Sequence, residues 1–359
     1  MKQYKFPPMH ELPVCEDLPD LLGGAQTAEE WAARRSEIQA MLEHYMLGAR
    51  PVNDAPARGE VRTSRTVYGG AGVRDEVRIY IGNNGEEYFD IYIVRPNRAG
   101  RFPAVVWTYF ANRGDCPIGE ELIERGIVLA AFENNALCKD DADDPASPAK
   151  RAYPDASWQA IMIWAWGFSK IADTITTLPY IDAERLMCTG HSRNGKAALV
   201  AGAYDERFLV VAPNNSGCGG AGCFRFLGDE RGVVQDAERV ESLGRITRVF
   251  PHWFSPALAP FGSDAPPYPV QNEARLPFDL HFLKALVAPR ALITVEGIED
   301  VWANVHGSYI TRLAAQPAFE LTGAAARNHQ IIRNGGHEHG ARDWRWMIEY
   351  ATSVFEGKL

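Results

Sequence analysis

Six short, largely apolar runs, at 104–108, 127–132, 186–189, 209–212, 291–295 and 330–333, lack the polar alternation of a half-wet strand. Strands that bury both faces read this way, and they belong to parallel sheets covered by helices on either side. Helical patterns fill the intervals, over 157–176, 195–203, 278–286, 304–315 and 342–355. Together they predict an α/β chain, a three-layer αβα sandwich around a mostly parallel, doubly wound sheet.

Ahead of this core, Val77-Arg78-Ile79-Tyr80-Ile81 and Phe89-Asp90-Ile91-Tyr92-Ile93-Val94 flank Gly82-Asn83-Asn84-Gly85. Two β-rich runs around such a turn predict an antiparallel hairpin at a sheet edge. Further upstream, Thr27 and Glu30 have the spacing of a capping box, opening an amphipathic helix through Trp31, Ile38, Met41 and Leu42 that Gly48 ends,. The expected organisation is one domain over 1–359, with a helical extension at 1–60 packed on it. The segment 228–269 is rich in Gly, Pro, Arg and aromatics without periodicity, and reads as an insertion near the active site,.

The net charge of −9 comes without a basic block, which argues against nucleic acid as a partner,. No run approaches the ~18 apolar residues of a membrane span, so no membrane partner is expected. The six cysteines form no C-x-x-C pair, and neither a metal nor an organic cofactor is signalled,. Cys218 and Cys223 are close enough in sequence for a local disulfide. Met1-Lys2-Gln3-Tyr4-Lys5 has the charge of a signal peptide but no apolar run behind it,. The expectation is a monomer, secreted or periplasmic if a leader was removed and cytoplasmic if this is the native start.

The chemistry is carried by Leu186-Met187-Cys188-Thr189-Gly190-His191-Ser192-Arg193-Asn194-Gly195-Lys196, a strand, a sharp turn and a helix of small residues. A nucleophile elbow needs this context, because small neighbours let the helix approach the strand while the serine hydroxyl projects from the turn. The second glycine, Gly195, stands one place later than in G-x-S-x-G, and Asn194 occupies the usual position. In an α/β-hydrolase fold an acid and then a histidine follow the serine, each at the carboxyl end of a later strand. The run ending at Val295 leads into Glu296-Gly297-Ile298-Glu299-Asp300-Val301-Trp302, and that ending at Arg333 leads into Asn334-Gly335-Gly336-His337-Glu338-His339. His337 is the candidate base with His339 in reserve. Asp300 is the candidate acid, with Glu299 and Glu296 in reserve.

With these motifs in place, residues 18–356 resemble the bacterial-type glucuronoyl esterases of carbohydrate esterase family 15. The resemblance is carried by the Gly190–Lys196 stretch, Asn214-Asn215-Ser216-Gly217-Cys218-Gly219-Gly220-Ala221, Phe250-Pro251-His252-Trp253-Phe254, Glu299-Asp300-Val301-Trp302-Ala303, and Gly336-His337 followed by Asp343-Trp344. It implies Ser192 as nucleophile, His337 as base, and Arg193 as the residue whose backbone N–H and guanidinium address the oxyanion. It also implies Lys196, Glu241 and Trp302 as contacts to a uronate sugar. Fungal members carry their catalytic carboxylate where this chain has Asn215, so the resemblance moves that role to Asp300. They also have a cysteine where this chain has His191, so a disulfide at the elbow is impossible here.

The activity so implied is serine carboxylic-ester hydrolysis of glucuronic-acid esters in plant cell-wall lignin–carbohydrate or xylan material, without a cofactor. An acetyl xylan esterase on the same scaffold and a non-catalytic carbohydrate-binding relative are the alternatives. On the residues alone Lys196 also reads as a solvated helix side chain, Trp302 as a core aromatic, and His252-Trp253 as packing beneath the insertion.

Overall fold

The computed structural model describes residues 4–52, 54–111, 115–228, 240–262 and 272–359. Nine strands form one sheet: β1 (Arg58–Val67), β2 (Gly72–Ile81), β3 (Glu87–Pro96), β4 (Phe102–Tyr109), β5 (Val128–Glu133), β6 (Ile181–His191), β7 (Phe208–Asn214), β8 (Ala291–Gly297) and β9 (Asn328–Arg333). Their spatial order is β1-β2-β3-β5-β4-β6-β7-β8-β9. The six strands from β5 to β9 pair in parallel, while β1, β2 and β3 are antiparallel to their neighbours. All six apolar runs are strands of the parallel part.

Two cores form because strand side chains alternate between faces. On one face Ala104, Val106, Leu186 and Cys188 meet the helices Ala160–Ile175 and Arg193–Tyr204. On the other, Val105, Trp107 and Met187 meet Trp344, Met347 and Ile348 of the helix Ala341–Phe355. This is the three-layer sandwich expected of the sequence. The hairpin is also present, with β2 and β3 in register from Gly72↔Pro96 to Ile81↔Glu87. It is not the edge of the sheet, however, because β1 pairs outside β2. Arg58–Val67 escapes the apolar pattern because this strand is mostly exposed and carries charged residues along its length.

The helix Ala28–Leu42 has its capping box: Glu30 N donates to Thr27 Oγ1 at 3.2 Å, and Thr27 N donates to Glu30 Oε2 at 3.2 Å. Trp31, Ile38, Met41 and Leu42 are buried, and Gln39 and Arg35 reach across to the carbonyls of Ala203 and Ala288. Gly48 follows with φ +75°, where a Cβ would fall 2.2 Å from the Ser157 carbonyl oxygen, so the turn and the close approach both require glycine,. Within 228–269, residues 229–239 and 263–269 lie outside the described residues; the remainder includes the helix Leu243–Val249. Cys218 and Cys223 are buried free thiols, not a disulfide.

Candidate active site

β6 ends at His191, and the next residue turns the chain sharply. Ser192 has φ +58° and ψ −126°, a region costly for any residue with a Cβ, and the helix Arg193–Tyr204 starts directly after it,. Gly190 and Gly195 make the turn possible. A Cβ on Gly190 would lie 2.3 Å from the Asn194 carbonyl oxygen, and one on Gly195 would lie 2.9 Å from that of Asn214. The late glycine therefore performs the close approach to the strand ends, and Asn194 faces Gly190 through its backbone. Ser192 Oγ is left without a hydrogen-bond partner among the described residues. The first-turn amides of Arg193 and Asn194 have no intrahelical acceptor, as in any helix start.

The loops after β8 and β9 bring the acid and the imidazole together. Asp300 Oδ2 lies 2.5 Å from His337 Nδ1. An ionised carboxylate only accepts, so Nδ1 carries the proton and Nε2 presents its lone pair. Below the histidine, Arg333 pairs with Asp343 at 2.5 Å and donates to the carbonyls of Asn334, Gly336 and Glu338. Asn215 completes the support: its Nδ2 donates to the Gly336 carbonyl at 3.1 Å, and its Oδ1 accepts from Gly297 N at 3.1 Å. The asparagine thus ties the two loops together through backbone groups, with both ends of its amide spent there and not on the imidazole.

The reserve candidates lie elsewhere. Glu299 accepts from Gly335 N at 3.3 Å on the surface. Glu296 is buried against Ser308 and Gln330, where loss of solvent raises its pKa to about 7. His339 is stacked 5.0 Å from Trp344. His191 packs between the two imidazoles, its ring 4.4 Å from His337 and 5.8 Å from His339. Its Nδ1 donates to Asn214 Oδ1 at 2.6 Å, which fixes its orientation. A cavity of about 210 Å³ opens beside it, walled by Trp107, Tyr109, Phe110, Pro117 and His339.

Arg193 extends from the elbow into an aromatic setting, with its guanidinium carbon 4.8 Å from the Trp253 ring, 5.3 Å from Phe250 and 5.6 Å from Phe110. Its Nη1 donates to Asp140, a residue that sequence reasoning missed. His252 and Trp253 bond the same carboxylate, a polar task beyond the packing expected of them. Lys196 and Glu241 form a buried pair, Nζ standing 3.0 and 2.8 Å from the two carboxylate oxygens. Lys196 also donates to the Ser216 carbonyl, and Cys218 N donates to Glu241. Lys196 is therefore no solvated helix residue. Burial raises the Glu241 pKa, and Lys196 opposes that rise without cancelling it. Trp302 adjoins the pair, since its carbonyl accepts from Glu241 N at 3.0 Å, and its half-buried ring carries Arg245 at 4.9 Å. No group of three or more His, Cys, Asp or Glu side chains is arranged to hold a metal ion among the described residues.

The chain as a whole is similar to several known proteins. The family described as "Glucuronyl esterase, fungi" matches residues 79–323. A 4-O-methyl-glucuronoyl methylesterase of Schizophyllum commune is 30% identical over 348 residues, covering 93% of this chain and 78% of that protein. A promiscuous CE15 esterase from a marine bacterial metagenome superposes with a TM-score of 0.78 at 26% identity, covering 96% of this chain and 98% of the other. A serine-to-alanine mutant of the Sporotrichum thermophile glucuronoyl esterase, in complex with methyl 4-O-methyl-β-D-glucopyranuronate, superposes with a TM-score of 0.74 over 95% of this chain and 88% of its own. At 22% identity that last likeness bears on the fold alone. The α/β-hydrolase fold read from the sequence is the fold these proteins share.

Proposed function

Because this chain belongs to carbohydrate esterase family 15, the glucuronoyl esterases, we propose that it hydrolyses 4-O-methyl-glucuronic acid esters of lignin–carbohydrate and xylan material through an acyl-enzyme on Ser192. The chain is a carboxylic ester hydrolase of the glucuronoyl esterase type. The observation that carries the serine mechanism is the strained backbone of Ser192 at the end of β6, directly after His191, whose ring lies 4.4 Å from the imidazole that Asp300 orients.

His337 Nε2 takes the proton of Ser192 as Oγ attacks the ester carbonyl carbon, and the carbonyl becomes an oxyanion. The amide N–H and guanidinium of Arg193 stabilise that charge. As the oxyanion collapses, the carbon–oxygen bond to the alcohol breaks and His337 delivers the proton to the departing oxygen. Water then repeats the sequence against the acyl-enzyme, releasing the uronic acid and restoring Ser192. Asp300 holds the imidazole in the required tautomer and stabilises its charged form. Lys196, Glu241 and Trp302 receive the uronate ring: the indole meets a sugar face, and the sugar hydroxyls compete for hydrogen bonds the buried pair makes with itself.

Rates on methyl and benzyl glucuronate, compared with nitrophenyl acetate, test the assignment. The expected result is efficient hydrolysis of the glucuronates and its loss in Ser192→Ala. Faster turnover of the acetate than of either glucuronate would favour an acetyl esterase, and full activity in Ser192→Ala would remove the nucleophile.

A further inference from the structure

The run Asp140-Asp141-Ala142-Asp143-Asp144 has the look of a solvated acidic loop, yet its first carboxylate turns inward. Asp140 Oδ1 accepts from His252 Nε2 at 2.8 Å and from Trp253 Nε1 at 2.6 Å, while Oδ2 accepts from Arg193 Nη1. His252 Nδ1 is buried without a partner among the described residues, so Nε2 is the ring nitrogen that donates, and it donates to Asp140,. Trp253, which bonds Asp140 through its indole N–H, also covers a face of the Arg193 guanidinium, and Phe250 stacks on Trp253 at 3.8 Å. One carboxylate therefore fixes both the arginine and a wall of the aromatic box around it. Arg193 Nε is buried and has no partner among the described residues.

A guanidinium is a rigid planar fork, so anchoring one end aims its remaining donors. We propose that Asp140 is a positioning residue for ester hydrolysis, holding the Arg193 guanidinium so that its unused donors face the oxyanion that forms on the Ser192 adduct. The inference rests on the reading of Arg193 given above; Asp140 itself touches no reacting atom. Burial would raise the pKa of Asp140, but the bonds from His252 and Trp253 and the charge of Arg193 outweigh it and hold the carboxyl at about 2. The anchor stays ionised wherever the esterase works. Pre-aimed donors need no reorganisation as the oxyanion forms, so the gain falls on turnover and not on substrate affinity.

The test is a double-mutant cycle on benzyl glucuronate with wild type, Asp140→Asn, Arg193→Ala and the double variant, active sites being counted with a serine-directed phosphonate. A single oxyanion donor is commonly worth ~100-fold or more in kcat, so Asp140→Asn should lower kcat by roughly 30-fold or more with KM changed less than about threefold. In the Arg193→Ala background the same substitution should cost less than about threefold, because the group it positions is gone. Asp140→Glu keeps the charge but displaces it; it should fold, lose kcat by roughly tenfold, and serve the same cycle if Asp140→Asn does not fold. Multiplicative losses, or kcat per active site unchanged in the Asp140 variants, would overturn the positioning role alone. Full kcat in Arg193→Ala would overturn the oxyanion reading and this inference with it.

Discussion

Asp300 Oδ2 and His337 Nδ1 stand 2.5 Å apart although 37 residues separate them along the chain. They meet because β8 and β9 are neighbouring parallel strands, paired from Leu292↔Asn328 to Gly297↔Arg333, and each residue lies just past its strand's carboxyl end. The adjacent acid, Glu299, points to the surface and caps a backbone amide of the histidine loop.

Asp300→Asn should therefore disable the enzyme where Glu299→Gln does not. Without the carboxylate the imidazole loses its tautomer and its countercharge, an effect of about 10⁴ in kcat in serine hydrolases of this type. Glu299→Gln should stay within about twofold, as expected of an exposed polar contact. Steady-state kinetics on a methyl glucuronate separates the two, and equal losses would reassign the acid.

Asn215 uses both ends of its side-chain amide on backbone groups of the loops that carry Asp300 and His337. Asn215→Ala leaves the Gly336 carbonyl and the Gly297 amide without these partners, which should cost about 2 kcal/mol. Its φ of +42° adds a further penalty for alanine,. Thermal melts should show a lower Tm, with kcat reduced because the His337 loop loosens. An unchanged melt would mean that the loops hold themselves.

The Lys196–Glu241 pair is about 2% exposed on each side chain, so neither charge can be left alone cheaply. Lys196→Met should destabilise the fold by about 3–5 kcal/mol, since it leaves the Glu241 carboxylate buried and unpaired. Adding Glu241→Gln should restore part of that stability while the affinity for glucuronate esters remains weak. Chemical denaturation of the single and double variants measures the first effect, and KM the second. If the double variant is no more stable than Lys196→Met, the pair is not the source of the loss.

His281 predicts an acid-side dependence of stability. Burial, the dominant effect, depresses its pKa from 6.5 to about 4, and its Nε2 donates to the Pro19 carbonyl at 3.0 Å. Above pH 6.5 folded and unfolded chains both carry a neutral ring, so the group adds no pH dependence there,. As the pH falls from 6.5 towards 4, only the unfolded chain takes up the proton, and stability declines by up to about 3 kcal/mol,. His281→Gln should flatten the fall in Tm between pH 7 and pH 5. An identical slope in the variant would assign the acid sensitivity to other groups.

The central sheet, the hairpin, the helix capped by Thr27 and Glu30, and the turn around Ser192 were all legible in the sequence. Each depends on residues that are neighbours along the chain: apolar runs, turn glycines, a three-residue cap spacing. Even the offset of Gly195 could be seen, though only the approach of the Asn214 carbonyl explains why the glycine is needed there. β1 could not be read, because an exposed strand whose surface is charged has no apolar period to betray it.

Tertiary structure decided which side chains meet. Asp300 and Glu299 are adjacent and chemically alike; a single loop turn sends one to the imidazole and the other to solvent. Asp140 sits in an acidic run that gives no sign of burial, 53 residues before the arginine it anchors. Lys196 and Glu241 bury each other across 45 residues. Local pattern follows from the steric and hydrophobic preferences of consecutive residues, whereas the pairing of charges depends on how the loops cross at the sheet rim, and only the packed chain fixes that.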